Sequence, residues 1–456
     1  MLDQISSLPD SMRIGSIPLG VPTCADDSCL LSMSMIGIQS SILVAQDDAN
    51  RERYEFSLNK TKTMLCNSKT KATEAAESMP LLLNGTNLEY AEAEIHLGIT
   101  RTQDLKANSS VEARIKCGRR TAYALMGAGL HGLNGVSPKV SIKIVDTYIL
   151  PAVLHGLDCL ILSQPNYNAL NKFHRNLIRK LQCLPISTAI PALYLLTGSI
   201  PMEAHHHRAV LNLFGNVTRR DGSVERAVIT RQLATKSMNS NSWTTLVREL
   251  LQQYSLPNAY ELCESVPTKE KWKLTVKKAI HVFWEKKIKE EAKQKSSLSF
   301  LNLESCKIGR VHIVWHTGDD PLQATMAATK VRLLTQRYIL YGTSRAGKHQ
   351  QSECPICKGP PETLTHFLLT CPTLEKTRRP VLEKINSIIT EFHLDPKNDH
   401  EKIQVILDPS FASWIPVEIA EQLEMLSRQM CFRLHNKRSI ALGQPSQFTT
   451  ARLRRR

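Results

Sequence analysis

What this sequence lacks narrows its function before any motif is considered. No stretch approaches about 18 consecutive apolar residues, so no helix is expected to cross a bilayer. The N-terminus, MLDQISSLPDSMRIGS, has neither the basic start nor the apolar centre of a secretory signal. The chain is therefore expected not to be secreted and to work inside the cell, in the nucleus or the cytoplasm. It has no fixed-period repeat and no long low-complexity tract. Acidic side chains are in short supply: 42 Asp and Glu face 58 Lys and Arg, a net charge of +16. A surplus of that size favours a polyanionic partner, which for a chain without membrane segments means RNA or DNA; generic solubility is the competing explanation.

What is present is ordinary globular material. A hydrophobic fraction of 42% over 456 residues is enough for several packed cores. The 12 cysteines, in a chain without a secretory signal, are expected as reduced thiols. In the first hundred residues, SCLLSMSMIGI and TKTMLCNSK have strand length, and IHLGIT is a third candidate, closed by Gly98. From about residue 111 the texture becomes helical. Ser137-Pro138 is a helix start, and Pro151 interrupts the helix that it opens. NYNALNKFHRNLIRKLQCLP puts Leu170, Phe173, Leu177 and Leu181 on one face and Lys172, His174, Arg175, Arg179 and Lys180 on the other. Helices continue to the C-terminus, which ends in ARLRRR. The spacing predicts a mainly α fold with a small α+β region at the N-terminus.

The segment 268–295, TKEKWKLTVKKAIHVFWEKKIKEEAKQK, is the most basic. Lys277, Lys278, Lys286 and Lys287 stand among ten lysines around Trp272, Val276, Ile280, Phe283 and Trp284. Such a helix either shows its lysines to solvent or lays them along a phosphate backbone.

Two groups carry chemistry. VPTCADDSCLLS, residues 21–32, sets Asp26 and Asp27 between apolar runs, as a hairpin does when it presents carboxylates at its tip. Hard cations such as Mg2+ take oxygen ligands, and a pair of ions can serve both the attacking and the leaving oxygen of phosphoryl transfer. A bare Asp-Asp pair also occurs in any acidic turn, and Asp47-Asp48 is expected to be one. The second group is CPICKGPPETLTHFLLTC, which spaces Cys354, Cys357, His366 and Cys371 as C-x2-C-x8-H-x4-C. Three thiolates and an imidazole at knuckle-like spacing suit tetrahedral Zn2+. His205-His206-His207 does not: consecutive side chains on a helix diverge by about 100° and cannot converge on one ion. Residues 393–402, HLDPKNDHEK, cluster acids but lack the Pro-Asp…Lys order of a restriction-like nuclease.

The order of these pieces resembles the reverse transcriptases of animal non-LTR (LINE-type) retrotransposons. PTCADDSCLLS is similar to their Ala-Asp-Asp motif. LNKTKTMLC comes next as an Asn-x-x-Lys-Thr/Ser segment, with Asn59, Lys62 and Thr63 in its places. IHLGI resembles the Leu-Gly turn of the primer grip, with Leu97 and Gly98. ALMGAGLHGLNGVSPKVSIKIVDTYILPAVLHGLDCL is similar to the thumb region, and residues 242–262 and 272–298 to the connecting helices. The Cys-Cys-His-Cys segment resembles the one found near the C-terminus of many such enzymes, where it often comes after an Arg-Ala pair. Here Arg332, Arg337, Arg345 and Lys348 precede it as a basic approach.

The resemblance implies RNA-directed DNA synthesis, with Asp26 and Asp27 as the catalytic pair holding Mg2+ and Lys62 supporting the pyrophosphate leaving group. It divides the chain into a partial palm (1–105), helical thumb (106–190), helical basic connector (191–345), zinc knuckle (346–375) and helical tail (376–456). The family also needs a metal-binding aspartate on an upstream strand and a Gly-Gln-Gly type nucleotide pocket. Only Asp3 and Asp10 stand upstream of the pair, neither in an apolar run. The expected protein is thus truncated through the palm, binds nucleic acid and does not polymerise alone. A full-length element protein is a further expected partner, one that would supply the missing half. The competing expectations are a zinc-dependent RNA- or DNA-binding protein derived from the element, and an expressed relic.

Overall fold

The computed structural model describes residues 1–443 except 20, 69, 133–134, 319, 344–346, 348, 394–395 and 412–414. The chain is mainly α, 59% helix against 6% strand. It forms two compact units, each assembled from three stretches: 1–116, 154–167 and 206–279 in the first; 117–153, 168–205 and 280–456 in the second.

Among the described residues the first unit holds all the strands, and every sheet has two strands. Thr23–Cys24 pairs antiparallel with Asp27–Ser28, and Lys62–Thr63 runs parallel to Glu89–Tyr90. The run after Cys29 does not form the expected strand. Ser34 caps a helix instead, its Oγ accepting the Gly37 N–H at 3.0 Å, and the helix runs over Met35–Glu52. Ile42, Ala45 and Ala49 recur at helical spacing and are buried, and that periodicity wins over apolar content. Ile42 packs with Ala75, Leu81, Leu83, Leu88 and Tyr90. Asp47-Asp48 lies in this helix rather than in a turn, and Asp48 pairs with Arg51 at 2.7 Å. IHLGIT is a hairpin bend, not one strand: Ala93–His96 pairs with Ile99–Thr102 around Leu97 and Gly98.

The second unit is built around Ile190–Thr197, a helix buried from Pro191 to Thr197. Pro138–Ile144 starts at Ser137 as expected, with Oγ accepting the Val140 N–H at 3.4 Å. Before Pro151 the helix widens into a π turn, Val145–Ile149, and then resumes as Leu150–Leu154. Proline has no N–H and crowds the carbonyl four residues back; the wider register accommodates it. The C-terminal helix Val417–Ala441 packs on Pro321–Leu334 and on Glu375–Glu391.

Helix Gln164–Leu181 buries Leu170, Phe173, Leu177 and Leu181. It also buries His174 and Arg179, which the amphipathic pattern assigns to the polar face. The long basic helix Lys269–Lys293 buries Trp272, Val276, Ile280, Trp284, Ile288 and Ala292, a continuous i, i+4 ridge. Lys277, Lys278, Lys286 and Lys287 are exposed. Among the described residues no helix is long and apolar enough to cross a membrane.

Candidate metal centre

Cys354 and Cys357 flank a tight turn. The Cys354 N–H donates to the Gly359 carbonyl at 3.0 Å and the Lys358 N–H to the Cys354 carbonyl at 2.9 Å. Lys358 takes a positive φ of 56° to close it. His366 opens a π turn, His366–Thr370, and Cys371 stands directly after it, its N–H on the His366 carbonyl at 2.8 Å. The wide turn carries His366 and Cys371 to the same side, where five residues of straight α-helix would set them about 140° apart. Phe367 and Leu368 anchor the turn in the core, and the Phe367 ring stacks on Tyr338 at 5.6 Å.

The turn and the π segment bring one atom from each of Cys354, Cys357, His366 and Cys371 within 4.8 Å of one another. A tetrahedral zinc site has ligand separations of about 3.6–3.8 Å, from bonds of about 2.3 Å to sulfur and 2.0–2.1 Å to nitrogen. Cys357 Sγ and His366 Nε2 are already 3.3 Å apart. Among the described residues, no other group of three or more His, Cys, Asp or Glu side chains closes this tightly. The donor set is soft, as zinc prefers and magnesium does not.

The surroundings prepare these ligands. Burial, then the neighbouring Cys354 thiol, pushes Cys371 up to about 12, and burial raises Cys354. Without a cation Cys354 and Cys371 stay protonated; a divalent ion reverses that balance. Burial lowers the His366 pKa, which keeps the imidazole neutral as a ligand must be. Thr370 Oγ1 lies 3.3 Å from His366 Nδ1, so the ring is oriented with Nε2 toward the cysteines. The Thr363 Oγ accepts the His366 N–H at 3.2 Å.

A second layer holds this segment to the unit. Glu362, inside the eight-residue spacer, takes both Nε and Nη2 of Arg438 at 2.6 and 2.8 Å. Its Oε2 also accepts the Tyr341 N–H at 3.0 Å. Sequence reasoning missed Glu362, Thr363, Thr370 and Arg438. The two threonines sit three residues before and four after His366, a local spacing that could have been noticed. Arg438 stands 76 residues from Glu362 and leaves no local signal.

The other sequence-predicted residues lie elsewhere. Asp26 and Asp27 are exposed at a hairpin whose two-residue loop begins at Ala25, with φ 55°. Among the described residues no third His, Cys, Asp or Glu joins them closely enough to share an ion. Lys62 makes an ion pair with Glu89. Leu97 and Gly98 have φ of 51° and 73°, the geometry of a type I′ turn. The Gly98 carbonyl accepts from Arg114, and His155 Nε2 lies 3.2 Å from the Leu97 carbonyl. Arg332 directs Nε and Nη2 to the Cys183 carbonyl at 3.0 and 2.7 Å, so its fork is engaged within the unit. Arg337 is half-buried, and Arg345 and Lys348 lie outside the described residues.

The three consecutive histidines separate as helical geometry requires. His205 meets the His174 ring at 6.0 Å, His206 lies 2.9 Å from the Tyr167 hydroxyl, and His207 lies 2.8 Å from the Tyr254 hydroxyl.

Compared with known proteins, the chain matches no family model and no curated protein.

Proposed function

We propose that this chain is part of a non-LTR retrotransposon reverse transcriptase, that it binds RNA and DNA through a zinc knuckle and an exposed lysine row, and that it does not synthesise DNA alone. The observation that carries this reading is the closure of Cys354, Cys357, His366 and Cys371 into one ligand cluster. That cluster falls where the resemblance puts the Cys-Cys-His-Cys segment, after the Ala-Asp-Asp, Asn-x-x-Lys and Leu-Gly motifs in the same order. Two pairs of lysines, Lys277 with Lys278 and Lys286 with Lys287, are exposed and suited to phosphate contact.

Catalysis is a different matter. Two carboxylates hold a pair of magnesium ions poorly, and Asp26 and Asp27 have no third partner among the described residues. Lys62 would have to leave Glu89 before it could meet a leaving pyrophosphate. Primer extension on an RNA template, with Mg2+ or Mn2+, compares the chain with an Asp26→Asn/Asp27→Asn double variant. No product from either, with RNA still bound, is the expected result; synthesis that the double variant abolishes would overturn the binding-only assignment. Affinity for RNA should fall steeply with salt, and removing all four lysines should flatten the slope by about one unit per lost phosphate contact. A salt-independent affinity would remove the lysine row from the interface.

A further inference from the structure

A buried guanidinium stands directly behind the metal centre. Arg378 is 1% exposed and lies on the helix Glu375–Glu391, which begins four residues after Cys371. Its Nη2 donates to the Cys371 carbonyl at 3.1 Å and to Glu375 Oε2 at 2.5 Å. Nε and Nη1 are buried as well, and neither meets a hydrogen-bond partner. An arginine presents its N–H donors in a fixed fork, so much of this one has left water without gaining a partner.

The surrounding charges compensate Arg378 only in part. The carboxylate that meets it, Glu375, has a side chain 47% exposed and is shared with Arg379 at 3.9 Å. Water screens such a carboxylate, so it balances a buried cation weakly. Glu362, the acid inside the ligand spacer, is committed to the Arg438 fork at 2.6 and 2.8 Å. Arg378 also ends the first turn of its helix, where the peptide dipoles are positive and a cation is out of place. Two positive features therefore meet behind Cys371. Covalent geometry keeps its Sγ within about 5 Å of the carbonyl oxygen that Arg378 binds. Three thiolates carry three negative charges, a divalent ion offsets two, and one remains.

We propose that Arg378 is the counter-charge of the loaded metal centre, balancing the one negative charge that a divalent cation on three cysteines leaves. It is a positioning residue, not a ligand: it holds the Cys371 backbone by its carbonyl and sets a fixed positive charge beside the cluster. This assignment rests on the zinc reading of Cys354, Cys357, His366 and Cys371. The centre and Arg378 are neutral when taken together, the condition under which a buried cation is best tolerated. A ligand set with fewer cysteines, or an empty one, leaves Arg378 with Glu375 alone.

The test measures zinc affinity of the full chain by chelator competition and, in parallel, urea unfolding of the metal-free chain. Arg378→Gln keeps a donor for the Cys371 carbonyl and removes the charge, so zinc should bind about tenfold more weakly or worse. The Leu374 N–H also donates to that carbonyl, at 3.2 Å, so no variant orphans it. Metal-free Arg378→Gln should be at least as stable as the wild type, because a buried cation with two unmet nitrogens is gone. Arg378→Lys restores the charge without the fork and should bind zinc within about threefold of wild type. Glu375→Gln, at a half-exposed position where folding is not at risk, removes the competing carboxylate and should tighten zinc by up to about fivefold. An Arg378→Gln chain that loses stability equally with and without metal overturns the assignment, since packing alone would act that way. Lys and Gln variants equally weak for zinc overturn it too, because charge is then not what matters. A wild-type chain that binds no zinc removes the metal centre and Arg378's role with it. Zinc bound equally by wild type, Arg378→Gln and Glu375→Gln removes the counter-charge alone.

Discussion

Replacing Glu362 by alanine tests the claim that the C-terminal helix holds the zinc segment in place. Glu362 and Arg438 are 1% and 6% exposed, and the Arg438 fork meets both carboxylate oxygens at 2.6 and 2.8 Å. Arg438 also donates to the Ile339 carbonyl at 3.2 Å and lies over the Tyr338 and Tyr341 rings at 5.5 and 5.3 Å. Burial alone would lower the Arg438 pKa; hydrogen bonding to Glu362 outweighs it and holds the guanidinium above its usual value. Glu362→Ala leaves that cation buried without its anion, which costs about 3–5 kcal/mol. A Glu362→Leu/Arg438→Met pair removes both charges and keeps the volume filled, so its loss should be far smaller, within about 1–2 kcal/mol. Urea unfolding of the zinc-loaded protein, read by circular dichroism, measures both changes. Chelator competition measures the zinc affinity, which should fall in Glu362→Ala because the eight-residue spacer loses its tether to Arg438. A Glu362→Ala protein within about 0.5 kcal/mol of wild type would refute the reasoning, as would a double variant as unstable as the sum of its singles.

Purified protein should carry about one zinc per chain, and Cys354→Ser should release it; an unchanged metal content would remove Cys354 from the ligand set. Acid should destabilise both units between about pH 6.5 and 4. Burial lowers His174, His206 and His435 to about 4, below the 6.5 of the unfolded chain, so the unfolded state takes up protons first and stability falls as pH drops. At pH 5 the loss is about 2 kcal/mol per histidine by proton linkage, and a flat stability between pH 7 and 5 would contradict it. Gly198→Ala should destabilise the second unit by at least about 2 kcal/mol, because Gly198 has φ 66° and a Cβ there runs into the Arg310 backbone; denaturant midpoints report it.

Local order along the chain determined several features of this protein by itself. The C-x2-C-x8-H-x4-C spacing is enough to name the four side chains that cluster, because a turn and one π turn close over so short a stretch. Ser137-Pro138 announced a helix start, and Trp272, Val276, Ile280 and Trp284 recur every four residues in the sequence as they do in the buried ridge. Tertiary packing alone decided the rest. Cys29 to Ser34 is apolar enough for a strand, but a strand needs a neighbour, and the Ser34 cap with the Ile42 core favours a helix nearby. His174 and Arg179 carry polar side chains on the expected wet face, yet this helix is covered on more than one side. Arg332 finds the Cys183 carbonyl across 149 residues, and Arg438 finds Glu362 across 76. Periodicity and capping act within a few turns of chain, so they can be read from it; the partner of a buried charge is set by which distant surfaces meet, and that information exists only once the chain has folded.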